Sequence, residues 1–150
     1  MVGSTRAGRN PNDLADVISS TYRTFLRKSE VLLSEEDLTR PQFQALRCVA
    51  ENGPTPMKGI SDSLSVTPAN VTGIIDRLES KGLLKRSARV GDRRATIIEL
   101  TPKGTAVQER VASKYKGFTR DSLKALSRDE QKSLRDILVK LQEGMSRSVG

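Results

Sequence analysis

The chain has 150 residues, of which 35% are hydrophobic and 29% charged, and its net charge is +8 with an isoelectric point of about 10.0. This length suits one ordinary domain, or two small lobes that share a core. The net charge alone does not decide between a nucleic-acid partner and a generally basic, solvated surface, but its concentration in residues 39–104, with 11 basic and 6 acidic residues, favours nucleic acid. The absence of histidine excludes histidine-based metal sites and serine–histidine or cysteine–histidine nucleophile pairs. An enzyme is therefore the least supported class of function, and we expect neither a cofactor nor a metal.

The single cysteine, Cys48, excludes an intrachain disulfide and fits a reducing compartment. No apolar run reaches membrane-spanning length, and the start MVGSTRAGRNPN lacks a signal-peptide core, so we expect a cytoplasmic protein that does not bind membranes. Cys48 lies on a small-residue side of its helix together with Ala45. A buried structural thiol is the favoured interpretation there, and a redox sensor is the alternative.

Residues 1–11 are rich in Gly, Ser, Arg and Asn and predict a mobile basic tail. Asn12 is predicted to cap an amphipathic helix of roughly five turns, because apolar residues recur at steps of three and four. An acidic break, Glu35-Glu36-Asp37, follows. We assign residues 12–38 to an N-terminal dimerisation helix and its connection, because a small, polar, helical chain commonly completes its core by dimerising.

A capping box marks the second predicted helix. Thr39 caps it, Gln42 closes the box, and Pro41 fits its first turn. Asn52-Gly53-Pro54 ends it. Its predicted apolar stripe consists of Phe43, Leu46, Val49 and Ala50.

Two further helices are predicted to follow closely. Thr55-Pro56 opens a short helix, Ser65-Val66 makes a turn, and Thr67-Pro68 opens a longer helix by the same device. Two helices joined by a tight turn, the second longer, are typical of a helix-turn-helix. The second, residues 67–81, is then the predicted recognition helix.

The recognition helix has one apolar face and one small, polar face. Gly73 lies on the polar face, although glycine costs about 1 kcal/mol relative to alanine within a helix. Close approach to DNA is the favoured explanation, and tight packing against a neighbouring helix is the alternative. Thr67 is expected to serve mainly as the N-cap, and Asp76 to hold a nearby arginine rather than to meet phosphate. The predicted buried residues are Val71, Ile74, Ile75 and Leu78.

Residues 81–94 carry six basic residues and one acidic residue, Asp92. Residues 84–87 and 95–100 are predicted to be the strands of a β-hairpin with Gly91-Asp92 in its turn. A basic hairpin directly after a recognition helix is typical of a wing, here residues 84–100. Arg93 or Arg94 is expected to enter the minor groove, and Asp92 to position an arginine or the turn. Lys85 and Arg86, on the strand, are expected to contact phosphate or solvent.

Two helices complete the predicted chain. Thr101-Pro102 starts one, and a capping box from Ser127 to Glu130 starts the other. We assign residues 39–104 to a winged helix-turn-helix lobe and residues 105–150 to C-terminal dimerisation helices. The terminal helices could pack within one subunit, but the order of elements favours a two-subunit bundle. The predicted fold is mainly α with a small β-wing: a winged helix-turn-helix whose N- and C-terminal helices form a dimerisation region.

Three strings, LTRPQFQALRCVAENGP, SVTPANVTGIIDRLESKGLLKR and DRRATIIELTPKG, closely resemble the MarR family of bacterial and archaeal regulators. The resemblance is dense over residues 38–104 and extends to the whole chain by helix order. It implies a homodimer of winged helix-turn-helix lobes, with the recognition helix in the major groove and the wing in the minor groove. Carried over by position, the recognition helix contributes Thr67, Pro68, Ala69, Asn70, Thr72 and Arg77, and the wing tip Asp92, Arg93 and Arg94.

We therefore expect a sequence-specific transcriptional regulator, a repressor, that binds a pseudo-palindromic double-stranded operator as a homodimer. A winged-helix protein-interaction module without DNA binding is the alternative, and the basic wing argues against it. To the contacts carried over by position we add Lys85, Arg86 and Arg89 from the wing.

Many members of the family release DNA on binding phenolic or other small anionic ligands. A ligand site is expected where the dimer helices meet the DNA-binding lobe, with surface charge or salt bridges as the alternative role for its residues. The candidate residues are Tyr22, Arg23, Arg27 and Arg47.

Overall fold

The computed structural model of the protein describes residues 11–89 and 91–147, without the side chains of residues 11, 89 and 92–95. Except for residue 11, the predicted basic tail lies outside the described residues. The chain forms two compact units that divide between Ser113 and Lys114. Within the described ranges, no helix combines the length and apolarity that crossing a membrane requires.

The first helix, α1 (Pro11–Ser34), extends up to the acidic break. It begins one residue before the predicted cap, so Asn12 lies inside the first turn instead of preceding it. The break is tightly folded, because Asp37 adopts a left-handed conformation with φ 52° and the Leu38 N–H donates to the carbonyl of Leu33 at 3.1 Å. Leu33 and Leu38 are both buried, which anchors the turn on the core.

The second helix, α2 (Arg40–Asn52), begins with the predicted capping box. The Gln42 N–H donates to the Thr39 hydroxyl at 3.4 Å, and the Thr39 N–H donates to the Gln42 side chain at 3.0 Å. The helix ends at Gly53, whose φ of 72° lies in the region that favours glycine. One predicted stripe residue differs, because Ala50 is exposed, and the buried face turns instead toward Ala45 and Cys48.

The helix-turn-helix consists of α3 (Met57–Leu64) and α4 (Pro68–Ser80). Ser65 makes the turn in a left-handed conformation, φ 53°, and the Ser61 hydroxyl donates to the Val66 carbonyl at 2.7 Å. The predicted cap at Thr55 is wrong: no side chain caps α3, and the Thr55 hydroxyl donates to the Gly53 carbonyl at 2.7 Å. Thr55–Pro56 instead forms a short strand, β1.

The wing is an antiparallel sheet of β1, β2 (Leu84–Arg89) and β3 (Asp92–Leu100), in the order β1-β3-β2. The predicted two-stranded hairpin was incomplete, because β1 pairs with β3 at Ile97 and Ile98. The long strands also reach further than predicted. Arg89 pairs with Asp92, so Asp92 lies in a strand rather than in the turn, and the register shifts between Ala88 and Arg89.

The core of the first unit lies between α2, α3, α4 and the base of the sheet. From α4 it receives Val71, Ile75 and Leu78, as predicted, whereas Ile74 is only half-buried. Burial of these aliphatic side chains fixes which face of α4 points outward. Other fully buried residues are Leu46, Ile60, Leu84, Ile98 and Val111.

The fifth helix, α5 (Pro102–Ser122), begins against the segment that joins α4 to β2. The Thr101 hydroxyl accepts the Gly104 N–H at 2.9 Å and donates to the Gly82 carbonyl at 2.6 Å. The Thr101 N–H donates to the Leu83 carbonyl at 3.1 Å. Gly82 has φ 70°, in agreement with its predicted place just after the recognition helix. The start of α5 is thus fastened to the base of the wing.

Two ion pairs connect the acidic break to other elements of this unit. Arg110 of α5 binds Glu36 through two hydrogen bonds of 2.8 Å, and Lys81 lies 2.9 Å from a carboxylate oxygen of Asp37. The Asp37 carboxylate is almost fully exposed, so its pair contributes little stability.

The second unit contains the end of α5 and the last helix, α6 (Arg128–Arg147). The predicted capping box is present: the Ser127 N–H donates to the Glu130 carboxylate at 2.7 Å, and the Glu130 N–H donates to the Ser127 hydroxyl at 3.3 Å. The hydrogen bond from the Ser127 N–H to the carboxylate, with a further contribution from the Ser127 hydroxyl, lowers the pKa of Glu130. The apolar side chains of α6 are exposed, namely Leu134, Ile137, Leu138, Val139, Leu141 and Met145.

Candidate nucleic-acid interface

The outward face of α4 is open to solvent along its whole length. Thr67 caps the helix as predicted, since its hydroxyl accepts the Asn70 N–H at 3.4 Å. The Thr72 hydroxyl donates back to the Pro68 carbonyl at 3.1 Å and keeps its lone pairs available as acceptors. All the recognition-helix residues predicted to contact DNA are exposed, namely Thr67, Pro68, Ala69, Asn70, Thr72 and Arg77.

Gly73 lies at the centre of this face. A Cβ built on it would meet nothing within 4 Å. Tight packing against a neighbouring helix, the alternative explanation for this glycine, is therefore excluded within the described part of the chain. A helix-interior glycine is destabilising, and close approach of DNA at this position stays a prediction.

Asp76, on the same face, holds an arginine as predicted. Its carboxylate lies 2.5 Å from the guanidinium of Arg86, on the first wing strand. The same guanidinium bonds the carboxylate of Glu79, which also accepts the Arg86 backbone N–H at 3.3 Å. The hydrogen bond to Asp76 raises the pKa of Arg86, and the charge of Glu79 adds to this effect. Arg86 thus joins the wing to the recognition helix. The sequence predicted a contact with phosphate or solvent for this residue and did not predict this role.

Lys85 occupies the opposite face of the same strand. Its ammonium group lies 3.4 Å from the Glu99 carboxylate, which also accepts the Ser87 hydroxyl at 3.0 Å. Together with the Lys81–Asp37 and Arg86 pairs, this contact places three of the six cations of residues 81–94 in ion pairs within the protein. The basic stretch therefore has a structural half, near the helix, and a distal half.

The distal half consists of Arg89, Arg93 and Arg94, whose side chains the structure does not describe. The backbone places Arg89 at the end of β2 and opposite Asp92, and Arg93 and Arg94 at the start of β3. Gly91, with φ 86°, precedes β3. The four predicted tip residues thus share the far end of the hairpin, and their roles remain predictions.

The four candidate ligand residues are exposed, and two of them, Arg47 and Tyr22, make other contacts. Arg47 pairs with Glu51 at 3.5 Å, as the salt-bridge alternative expects, while Arg23 and Arg27 lie exposed on α1. Arg40 lies over one side of the Tyr22 ring, with its guanidinium carbon 5.9 Å from the ring centroid. One terminal nitrogen of Arg40 is buried without a hydrogen-bond partner among the described residues. Arg40 was not predicted from the sequence as a candidate ligand residue. It lies within the capping box of α2, and nothing in that local sequence indicates a contact with α1.

Cys48 is buried, as the structural interpretation predicted, with 4% of its surface exposed. Its sulfur accepts a hydrogen bond from the Asn52 side chain at 3.7 Å. Inaccessibility of this kind disfavours an oxidant-sensing role, because sensor thiols are accessible.

The recognition helix is capped and has one buried apolar face and one open polar face, and a three-stranded antiparallel sheet adjoins it. These features define the protein as a winged helix-turn-helix DNA-binding protein. Residues 38–96 match the MarR family. Over 121 residues the chain is 30% identical to the HTH-type transcriptional regulator PecS of Dickeya dadantii, covering 78% of this chain and 72% of that protein. This chain belongs to the MarR family, whose members are transcriptional regulators rather than enzymes, and it is a DNA-binding regulator of that family.

Two further relatives extend the similarity over most of the chain. The uncharacterised HTH-type transcriptional regulator YhbI of Bacillus subtilis is 29% identical over 153 residues, covering 100% of this chain and 99% of that protein. A crystal structure of a mutant MarR from E. coli complexed with operator DNA aligns with a TM-score of 0.76 and 27% identity, covering 86% of this chain and 93% of that one.

Proposed function

We propose that the protein is a homodimeric repressor that binds a pseudo-palindromic operator in the cytoplasm. In this proposal α4 enters the major groove and the wing, residues 84–100, enters the minor groove. The observation that carries it is the outward face of α4, where the small and polar residues predicted to contact DNA are all exposed, while Val71, Ile75 and Leu78 are buried on the opposite side. Such a face can approach base edges closely. The E. coli MarR relative, crystallised with operator DNA, supports the same use of this fold.

The proposed dimer would use residues 12–38 and 105–150. Support comes from apolar side chains that each unit leaves exposed: Leu14, Val17 and Ile18 on α1, and Ile137 among others on α6, at 63% exposure. Exposed apolar faces of this extent are typical of subunit interfaces. In the proposed complex, the two recognition helices of such a dimer would read half-sites about 34 Å apart, one turn of DNA.

The test of this proposal is binding to the promoter region of the protein's own gene. Fluorescence anisotropy with labelled duplexes should find one high-affinity segment, and a footprint should protect two half-sites about 10 base pairs apart. Analytical ultracentrifugation should give two chains per duplex. An interaction module without DNA binding, the alternative, would give only weak binding that is equal for every duplex.

Gly73→Ala separates stability from DNA binding. The substitution is expected to raise the free energy of unfolding by about 0.5–1 kcal/mol, because alanine is the better helix former and its methyl group meets no neighbour. Operator affinity is expected to fall about tenfold, because the methyl group would hold α4 away from the bases. Thermal denaturation and anisotropy measure the two effects.

The matched control is Gly117→Ala, another helical glycine whose Cβ would meet nothing within 4 Å. It should gain similar stability. Because residue 117 lies in the proposed dimerisation region, sedimentation should first show an intact dimer, and operator affinity should then be unchanged. If Gly73→Ala binds the operator as tightly as the wild-type protein does, close approach at Gly73 is not part of recognition.

We further propose that a small anionic or phenolic ligand releases the protein from DNA. Arg40 supports this, because it lies over the Tyr22 ring and leaves one buried guanidinium nitrogen without a partner among the described residues. A buried donor of this kind is costly unless an acceptor reaches it. Adding benzoate, a small aromatic anion, to the operator complex tests this part, and Arg40→Met should abolish any release.

A further inference from the structure

Three contacts tie Arg86 to one turn of the recognition helix. Its backbone N–H and one guanidinium nitrogen bond the Glu79 carboxylate, and a second guanidinium nitrogen bonds Asp76 at 2.5 Å. Charge-assisted bonds from one planar group to two carboxylates restrict both distance and orientation. With 31% of its side chain exposed, Arg86 is also partly shielded from solvent. The junction between helix and wing is therefore held at a defined geometry.

The geometry of the two elements produces this contact. Asp76 and Glu79 are three residues apart and share one face of α4. Arg86 is two residues from the buried Leu84 and shares its face of β2, so it is directed toward the helix. Lys85 lies on the opposite face, with Glu99. The neighbouring lysine thus carries the same charge without touching the recognition helix.

The position of Arg86 makes it a pivot for the wing tip. β1 supports β3 at Ile97 and Ile98, and Ile98 pairs with Arg86. Beyond that pair the hairpin continues to Arg89 and Asp92, roughly 10 Å further at about 3.4 Å per residue. A tilt of about 10° at Arg86 would displace the tip by about 2 Å, several times the tolerance of about 0.5 Å for a recognition contact.

We propose that Arg86 is a positioning residue that sets the angle between the recognition helix and the wing. It thereby determines which minor-groove sequence is read beside a given major-groove half-site. The inference rests on the proposed function, because it needs α4 and the wing to occupy neighbouring grooves. A role limited to neutralising Asp76 and Glu79, whose charges would repel phosphate, is the competing explanation.

The double variant Asp76→Ala with Glu79→Ala, which leaves Arg86 without either side-chain acceptor on α4, distinguishes the two explanations. The probes are the duplex footprinted in the promoter of the protein's own gene and a copy with G·C pairs in place of A·T pairs beneath the wing. The wild-type protein should prefer the A·T-flanked duplex about tenfold. If Arg86 positions the wing, the double variant loses this preference. If Arg86 only neutralises charge, the variant binds both duplexes more tightly and keeps the preference, which overturns the proposal.

A second pair of variants, Arg86→Met and Lys85→Met, removes one positive charge each from adjacent positions. Arg86→Met should reduce the flank preference to about one, whereas Lys85→Met should keep it near tenfold. Thermal unfolding and sedimentation of each variant establish that it folds and dimerises. If Arg86→Met does not fold, the double variant, altered only on the helix, still decides the question.

Failure of this inference differs from failure of the proposed function. A wild-type protein that protects no promoter segment contradicts the proposed function itself. If the wild-type protein prefers A·T flanks and the variants at Asp76, Glu79 and Arg86 show the same preference, only the positioning role is contradicted.

Discussion

Replacing Gly104 with alanine is expected to lower the free energy of unfolding by about 3 kcal/mol. A Cβ at this position would overlap the carbonyl oxygen of Leu83 and lie 2.8 Å from the carbonyl carbon. That carbonyl accepts the Thr101 N–H at 3.1 Å, so it cannot turn aside without losing a hydrogen bond. The added methyl group would therefore lift the start of α5 off the base of the wing. Circular dichroism should record a midpoint of thermal unfolding about 10 °C lower.

Gly117→Ala is the control for this experiment, because a Cβ there would meet nothing within 4 Å and alanine favours the helix. Its midpoint should rise slightly or stay constant. A Gly104→Ala protein as stable as the wild-type protein would mean that α5 does not begin against Leu83.

Gly104 also illustrates what the sequence does not reveal. Nothing in the string TPKG distinguishes a glycine required by close packing from one tolerated in an exposed turn, because the contact is made by Leu83, 21 positions earlier. Arg40 is similar, since its partner Tyr22 belongs to another helix. Both contacts exist only once the elements have packed.

The features that the sequence predicts well are local ones. The capping boxes at Thr39 and Ser127 and the cap at Thr67 form within four residues, so the same residues that suggest them also make them. Thr55-Pro56 has the same appearance as Thr67-Pro68 and behaves differently. Pairing with β3 draws Thr55 into the sheet, a long-range effect that overrides the local preference.

In the candidate interface, too, the sequence predicts the local features and not the contacts that depend on packing. Helical periodicity was sufficient to predict the open face of α4, because burial of Val71, Ile75 and Leu78 fixes the opposite face. The charge of Asp76 in that position was sufficient to predict an arginine partner. Periodicity could not identify the partner as Arg86 or add Glu79, because that requires the crossing angle between helix and strand. The spacing of three residues between Asp76 and Glu79 was the signal available.

Operator affinity is expected to fall by a factor of about 1,000 or more between about 50 and 200 mM monovalent salt. Each phosphate neutralised by a cation releases condensed counterions, so the logarithm of affinity falls with that of salt concentration, by about 0.9 per contact. We expect the contributing cations to be the exposed one on α4 and those at the wing tip. Arg77 is exposed on α4 with no ion pair inside the described ranges. The tip adds Arg89, Arg93 and Arg94.

Four cations per lobe predict a log–log slope of about −7 for the dimer. Including Lys81, Lys85 and Arg86 would instead predict about −13. Anisotropy titrations at several salt concentrations measure the slope. Arg93→Ala should weaken binding and make the log–log slope less negative by about 2, because one phosphate contact is lost in each lobe. Sedimentation should show that the dimer is intact. Lys85→Met should leave the slope unchanged.

The three cations are excluded because each already has a carboxylate beside it. For Lys81 this is Asp37, at 2.9 Å. Lys85 lies 3.4 Å from Glu99, and Arg86 bonds both Asp76 and Glu79. Moving either cation to a phosphate would leave a carboxylate uncompensated close to the DNA backbone, so the exchange would gain little free energy. A measured slope near −13 would show that these pairs open on binding, which would also contradict a fixed junction at Arg86. A slope near zero would remove phosphate contacts from the mechanism altogether.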